Sequence, residues 1–138
     1  MDELTPLSLA TLRQLPSHVA VPRYERRALS PGIVHIGLGN FHRAHQAWYL
    51  HSLFDMGRNH DWAIIGAGVR PGDAAMREKL LAQDCLSTLI ALDPAGKSAQ
   101  VTGAMIRFLP VQPDNAALIA QMADPAIRIV SLTVTEGG

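Results

Sequence analysis

The stretch Ile33-Val34-His35-Ile36-Gly37-Leu38-Gly39-Asn40-Phe41-His42-Arg43-Ala44 decides the fold. Its first four residues form a short β-branched run, suited to a buried strand, and the run stops at a glycine turn. From Phe41 to about Met56 the residues Ala44, Ala47, Trp48, Leu50, His51 and Phe54 recur at helical spacing, and Gly57 offers a left-handed stop. Strand, glycine turn and helix thus follow in immediate succession.

Downstream, Asp61-Trp62-Ala63-Ile64-Ile65-Gly66 is a second continuous apolar run, the pattern of a parallel strand covered by helices on both faces. Pro71 to Gln83 reads as a helix. Cys85 to Leu92 and Gln100 to Leu109 read as two strands around the turn sequence Asp93-Pro94-Ala95-Gly96, which predicts an antiparallel hairpin. Asp114 caps a further helix through about Met122, Asp124-Pro125 breaks it, and Ile127 to Val134 supplies another buried strand ending at Thr135-Glu136-Gly137-Gly138. Upstream, residues 1–32 carry Pro6, Pro16, Pro22 and Pro31 and one short helical pattern from Ser8 to Leu15, so they read as an amino-terminal extension wrapped on the domain. The expected fold class is α/β, an incomplete doubly wound and mainly parallel sheet with an inserted antiparallel hairpin, formed by residues 33–138. The chain stops just after a strand, where ligands bind in such sheets, and this reads as truncation.

The composition narrows the functional classes. Of 138 residues, 48% are hydrophobic, which suits one domain with a packed core. Twelve Lys and Arg balance twelve Asp and Glu, so no net field draws in nucleic acid or an anionic membrane. The single Cys85 forms no internal disulfide, and the Met-Asp-Glu start lacks the basic and apolar opening of a secretory signal; both predict a cytoplasmic protein. The strongest apolar stretches, Trp62 to Val69 and Ile127 to Val134, fall well short of the roughly 18 residues needed to span a bilayer.

A glycine turn between a buried strand and a helix is the context of a dinucleotide site. Gly37 permits the tight turn, Gly39 lets the backbone approach a pyrophosphate, and the free amides opening the next helix receive its charge. Arg43 is placed to add a charge-assisted contact. The third glycine of the usual G-x-G-x-x-G falls at His42, whose side chain is expected to hinder close packing of helix on strand. An ordinary tight turn therefore stays open as the alternative. No acid stands at the end of the second strand to take the adenosine ribose hydroxyls, so Asp73 would have to fold back from the start of the next helix. As an alternative, Asp73 is only a helix-start acid. Arg70 is placed either to stack on adenine or to meet a 2′-phosphate, and NAD is preferred over NADP.

His42 and His45, with His51 beyond, raise the question of a metal, but they coincide with the proposed phosphate-binding helix start, and no metal is expected. Cys85 reads as a small core residue rather than a nucleophile.

The run Gly37-Leu38-Gly39-Asn40-Phe41-His42-Arg43-Ala44-His45-Gln46-Ala47 closely resembles the opening motif of the polyol-specific long-chain dehydrogenases, the mannitol dehydrogenase family. The segments Trp62 to Arg70, Leu81 to Leu89 around Gln83-Asp84, and Ile127 to Gly138 resemble the same family in the same order. The resemblance implies a Rossmann-type domain of an oxidoreductase that interconverts a sugar alcohol and a ketose with NAD and no catalytic metal. It implies cofactor binding through Gly37, Leu38, Gly39, Asn40, Phe41, His42, Arg43 and Ala44, with Asp73 on the adenosine ribose and Arg70 beside it. Where members can carry an acid just before that aspartate, Gly72 stands here. The family's catalytic Lys, with Asn and His, lies in a second, largely helical domain, so no catalytic residue is expected in this chain. That missing domain would be its natural partner, along with NAD(H) and a polyol or ketose. Arabinitol or a uronate ketose remains open as the substrate, as does a non-catalytic nucleotide-binding module. Glu136 is expected either near the nicotinamide or as a cap on the next helix.

Overall fold

The computed structural model describes residues 4–136. In chain order they form β1 (Val19–Ala20), β2 (Pro31–Ile36), α1 (Asn40–Ala44), α2 (Gln46–Asp55), β3 (Ala63–Ala67), α3 (Asp73–Ala82), β4 (Ser87–Asp93), β5 (Gly96–Thr102), β6 (Met105–Phe108), α4 (Ala116–Met122) and β7 (Ile129–Leu132), with short 3-10 turns at Leu12–Gln14 and Arg26–Ala28. Among the described residues no helix is long and apolar enough to cross a membrane.

The continuous apolar runs of β2 and β3 become the centre of a four-stranded, all-parallel sheet in the order β6-β3-β2-β7. Alternate side chains go to opposite faces, which is why neither run alternates with polar residues. On one face Ile33 and Ile64 pack with Phe54 of α2 and Leu80 of α3. On the other, Val34, Ile65 and Ala67 meet Leu118 of α4. Val34, Ile64 and Ile65 are wholly buried, as central strands covered by helices on both sides require. The chain enters the sheet at β2, builds outward to β3 and β6, then crosses back to lay β7 on the other side of β2. This reversal between β2 and β7 makes the sheet doubly wound.

Several expectations change in detail. The predicted helix from Phe41 to Met56 is two helices broken at His45, whose backbone (φ −120°, ψ −79°) leaves the helical region. The break lets His42 turn onto β2 while Ala47, His51 and Phe54 of α2 pack inward. Gly57 does close α2 in the left-handed region, at φ +72°. The hairpin forms as expected, with β4 and β5 antiparallel from Ser87↔Thr102 to Asp93↔Gly96. The predicted strand Gln100 to Leu109, however, divides at Gly103 and Ala104. Its first half completes the hairpin, which with β1 makes a separate three-stranded sheet. Its second half, β6, joins β3 in the parallel sheet, where Ile64 N–H donates to the Ala104 carbonyl at 2.9 Å. The strand Ile127 to Val134 is shorter and much less buried than expected. Among the described residues β7 pairs with β2 alone, and Ile129, Val130 and Leu132 are 45–60% exposed at the sheet edge. Gly137 and Gly138 lie outside the described residues.

The helical pattern from Ser8 to Leu15 reduces to the single 3-10 turn at Leu12–Gln14. Besides the pairing of β1 with β5, hydrogen bonds tie this amino-terminal segment to the rest of the chain. Leu9 N–H donates to Asp84 Oδ2 (2.8 Å), Arg26 Nη2 donates to the Asp84 carbonyl (2.9 Å), and Arg23 N–H donates to Asp55 Oδ1 (2.8 Å). Tyr24 adds a buried polar junction: its hydroxyl donates to His51 Nδ1 at 2.7 Å and accepts from Gly103 N–H at 3.1 Å. Tyr24→Phe deprives two groups of that partner while preserving shape. The expected outcome is a loss of about 1–2 kcal/mol, read as a lower urea midpoint with an unchanged far-UV spectrum.

Candidate cofactor-binding site

The reversal of strand order leaves a crevice beyond the carboxyl ends of β2 and β7, where neighbouring connections run to opposite faces of the sheet. The crevice has a volume of about 430 Å³. Gly37, Leu38 and Gly39 form one side, Leu132 to Thr135 a second, and Val69, Arg70, Gly72, Asp73 and Met76 a third.

Each side follows from local chemistry. Gly37 sits at φ +96°, a region that L side chains rarely adopt, and its N–H donates to the Ala67 carbonyl at 2.9 Å. Leu38 folds down onto the sheet above Gly66, where any Cβ would collide with Leu38 and approach Met105 Sδ within 2.9 Å. Gly39 has ordinary dihedrals, and a Cβ there would meet nothing within 4 Å, so the backbone is bare toward the opening.

His42 takes the third-glycine place without holding helix and strand apart, contrary to the expected hindrance. Its ring lies flat on that of His35 of β2, with centroids 3.9 Å apart and planes 9° from parallel. His42 is 1% exposed; its Nδ1 bonds Gln46 Oε1 at 2.9 Å, while Nε2 has no partner among the described residues. Burial first, then neighbouring His35, pushes the His42 imidazole down to about 4. His35, itself buried and shifted downward by burial, bonds Ser131 Oγ through Nδ1 (2.8 Å) and Thr133 Oγ1 through Nε2 (2.9 Å). Two neutral imidazoles therefore join the glycine turn to the strand across the reversal.

Asp73 does fold back from the start of α3 to the end of β3. Its Oδ2 accepts from Arg70 N–H at 2.9 Å, and a Cβ on Gly68 would stand 2.8 Å from the Asp73 carboxyl carbon. Gly68 thus makes room for a late acid to reach the strand end, with Arg70 exposed beside it.

The structure brings Gly37, Leu38, Gly39, Arg70 and Asp73 together around one crevice. Asn40, Phe41, His42, Arg43 and Ala44 do not line it. The Arg43 guanidinium turns back to Asn40 Oδ1 (2.7 Å) and the Gly39 carbonyl (3.4 Å), in a smaller groove with Ala44 and Ser87 to Leu89. Phe41 is 67% exposed and leans on His45. The histidines serve separate contacts, His42 on His35, His45 on Phe41, and His51 between Tyr24 and Asp55. Among the described residues no three His, Cys, Asp or Glu side chains gather as a metal would need. Cys85 is buried in the core cluster, and burial pushes its thiol up. Glu136 is an exposed turn residue just past Thr135.

Sequence reasoning missed His35, Gly68, Ser131 and Thr133. The register Ile36↔Leu132 sets Thr133 beside Gly37, which no reading short of the strand order provides.

Comparison with known proteins gives a consistent placement. Residues 31–138 match the family model described as the mannitol dehydrogenase Rossmann domain. The chain is 71% identical over 120 residues to mannitol 2-dehydrogenase of Cereibacter sphaeroides, covering 87% of this chain and 25% of that one. It is 44% identical over 131 residues to the polyol:NADP oxidoreductase of Gluconobacter oxydans, covering 93% and 27%. Among solved structures, Pseudomonas fluorescens mannitol 2-dehydrogenase, in ternary complex with NAD and D-mannitol, superposes with TM-score 0.90 at 45% identity over 96% of this chain and 27% of that one. The chain therefore spans about a quarter of the length of these relatives.

Proposed function

Because the chain belongs to the mannitol dehydrogenase family, whose Rossmann domain it matches over residues 31–138, we propose that its crevice binds NAD as the cofactor half of a polyol dehydrogenase. The reaction would interconvert a sugar alcohol and a ketose of the mannitol and fructose type, with a further domain supplying the catalytic Lys.

The observation that carries the NAD assignment is the Asp73 carboxylate at the end of β3, in the crevice with Gly37 and Gly39. A carboxylate there accepts hydrogen bonds from ribose hydroxyls and repels a 2′-phosphate. The pyrophosphate would lie along the bare backbone of Gly37, Leu38 and Gly39, facing the amides that open α1, with the turn through Ala44 shaping its approach. The fit is supported by the open space where a Cβ at Gly39 would stand. Arg70 would lie against the adenine. When bound, the nicotinamide supplies the hydride acceptor or donor. This chain's part is to hold it and orient its face. The substrate would be chosen by residues outside this chain.

The reading is tested by titrating the 138-residue chain with NADH and with NADPH while following Trp48 and Trp62 fluorescence. A saturable response, tighter for NADH, is expected. No saturable response to either would defeat the assignment, and tighter NADPH binding would reverse the preference.

A further inference from the structure

The hydrogen bonds beneath the glycine turn have a fixed direction at the Gln46 end. Gln46 Oε1 only accepts, so His42 Nδ1 carries a proton and donates to it at 2.9 Å. Gln46 Nε2 only donates, and it reaches Ser131 Oγ at 3.4 Å. Ser131 Oγ keeps a proton of its own to give and stands 2.8 Å from His35 Nδ1. When Nδ1 accepts that proton, the neutral His35 ring holds its own on Nε2 and donates to Thr133 Oγ1, 2.9 Å away. In that tautomer the Thr133 oxygen accepts from His35 and its own proton is left to point elsewhere. Thr133 lines the crevice, with its Cβ 3.8 Å from where a Gly37 side chain would begin.

We infer that His35 holds this tautomer and is thereby a positioning residue, and that Thr133 is a cofactor-binding residue whose hydroxyl it fixes as a donor toward an acceptor oxygen of the dinucleotide. The inference rests on the cofactor assignment above and extends it to a second strand. One side of the ligand is held by bare backbone at Gly37 and Gly39, the other by a pre-oriented hydroxyl across the reversal. Burial keeps both imidazoles neutral at physiological pH, so each ring has a single proton to place. A donor already oriented costs no rotor entropy when the ligand arrives.

The test is a double-mutant cycle on NADH affinity at pH 7.5, using the 138-residue chain. Thr133→Val keeps the shape and removes the hydroxyl; about a tenfold weaker Kd is expected. Thr133→Ser restores the hydroxyl and should return affinity close to the starting chain. His35→Phe should weaken binding several-fold alone but add nothing in the Thr133→Val background, because its effect passes through that hydroxyl. A merely structural His35 would weaken binding equally in both backgrounds. If His35→Phe fails to fold, the Thr133 pair still decides the matter. Equal NADH affinity in Thr133→Val and the starting chain would overturn the inference and leave the cofactor assignment standing. No NADH binding by the starting chain would overturn both.

Discussion

Lowering the pH from 7 to 4 is expected to remove about 3 kcal/mol of folding stability through His42 alone. In the unfolded chain this imidazole titrates near its ordinary value of 6.5, whereas in the folded chain it is held down to about 4. Between those values the unfolded chain binds a proton that the folded chain refuses, so stability is complete above about 6.5 and falls as the pH drops toward 4. The cause is geometric. His42 is sealed between α1 and β2 and faces His35 from the strand, Arg43 from its own helix and the uncharged Gln46 from α2. None of those offers a carboxylate to an imidazolium. His35 and His51 are also shifted downward by burial and add to the loss in the same direction. For a domain whose whole stability is about 5–15 kcal/mol, the effect is large. It is measured as urea midpoints from pH 7 to pH 4. His42→Phe keeps a flat ring on His35 and removes the titration, so its acid loss should be visibly smaller. Equal acid loss in both chains would mean that His42 does not set it.

The second large effect separates folding from binding at the glycine turn. Gly39→Ala is expected to leave stability within about 0.5 kcal/mol, because Gly39 has ordinary dihedrals and a new Cβ meets nothing within 4 Å. The same methyl stands where the backbone is proposed to approach the pyrophosphate, so NADH affinity should fall by at least tenfold. Gly37→Ala should do both. At φ +96° a Cβ costs about 1–3 kcal/mol of strain, and it also enters the crevice. Thermal unfolding and NADH titration of the two variants check the contrast. Unchanged NADH binding in Gly39→Ala would remove the turn from the cofactor site.

How much of this was legible in the sequence follows from what each feature depends on. The central strands were readable because Ile33 to His35 and Ala63 to Gly66 are buried on both faces and carry no alternation to confuse them. The hairpin turn was readable from Asp93-Pro94-Ala95-Gly96, whose Asp93 Oδ1 accepts from Ala95 N–H at 2.8 Å. The division at Gly103 was not readable. It is caused by partners far along the chain, Tyr24 on one side and Ile64 on the other. β7 looked buried because its apolar residues are those of an inner strand, yet among the described residues it pairs with β2 alone and sits at an edge.

At the site, Gly37, Gly39 and Asp73 were legible from spacing after a strand. That His42 fits was not, because its fit depends on His35, which sequence alone gave no reason to pair with it. Ser131 and Thr133 are nearly a hundred residues from His35, and the parallel register alone brings them together.

The most direct measurement is an amide-resolved NMR titration of the 138-residue chain with NADH. Shifts concentrated at Gly37 to Gly39, Gly68 to Asp73 and Leu132 to Thr135, saturating together, are expected for a dinucleotide seated at the reversal. Shifts confined to the groove of Arg43 and Ser87 to Leu89, or no saturable shifts, would contradict a cofactor site in this crevice.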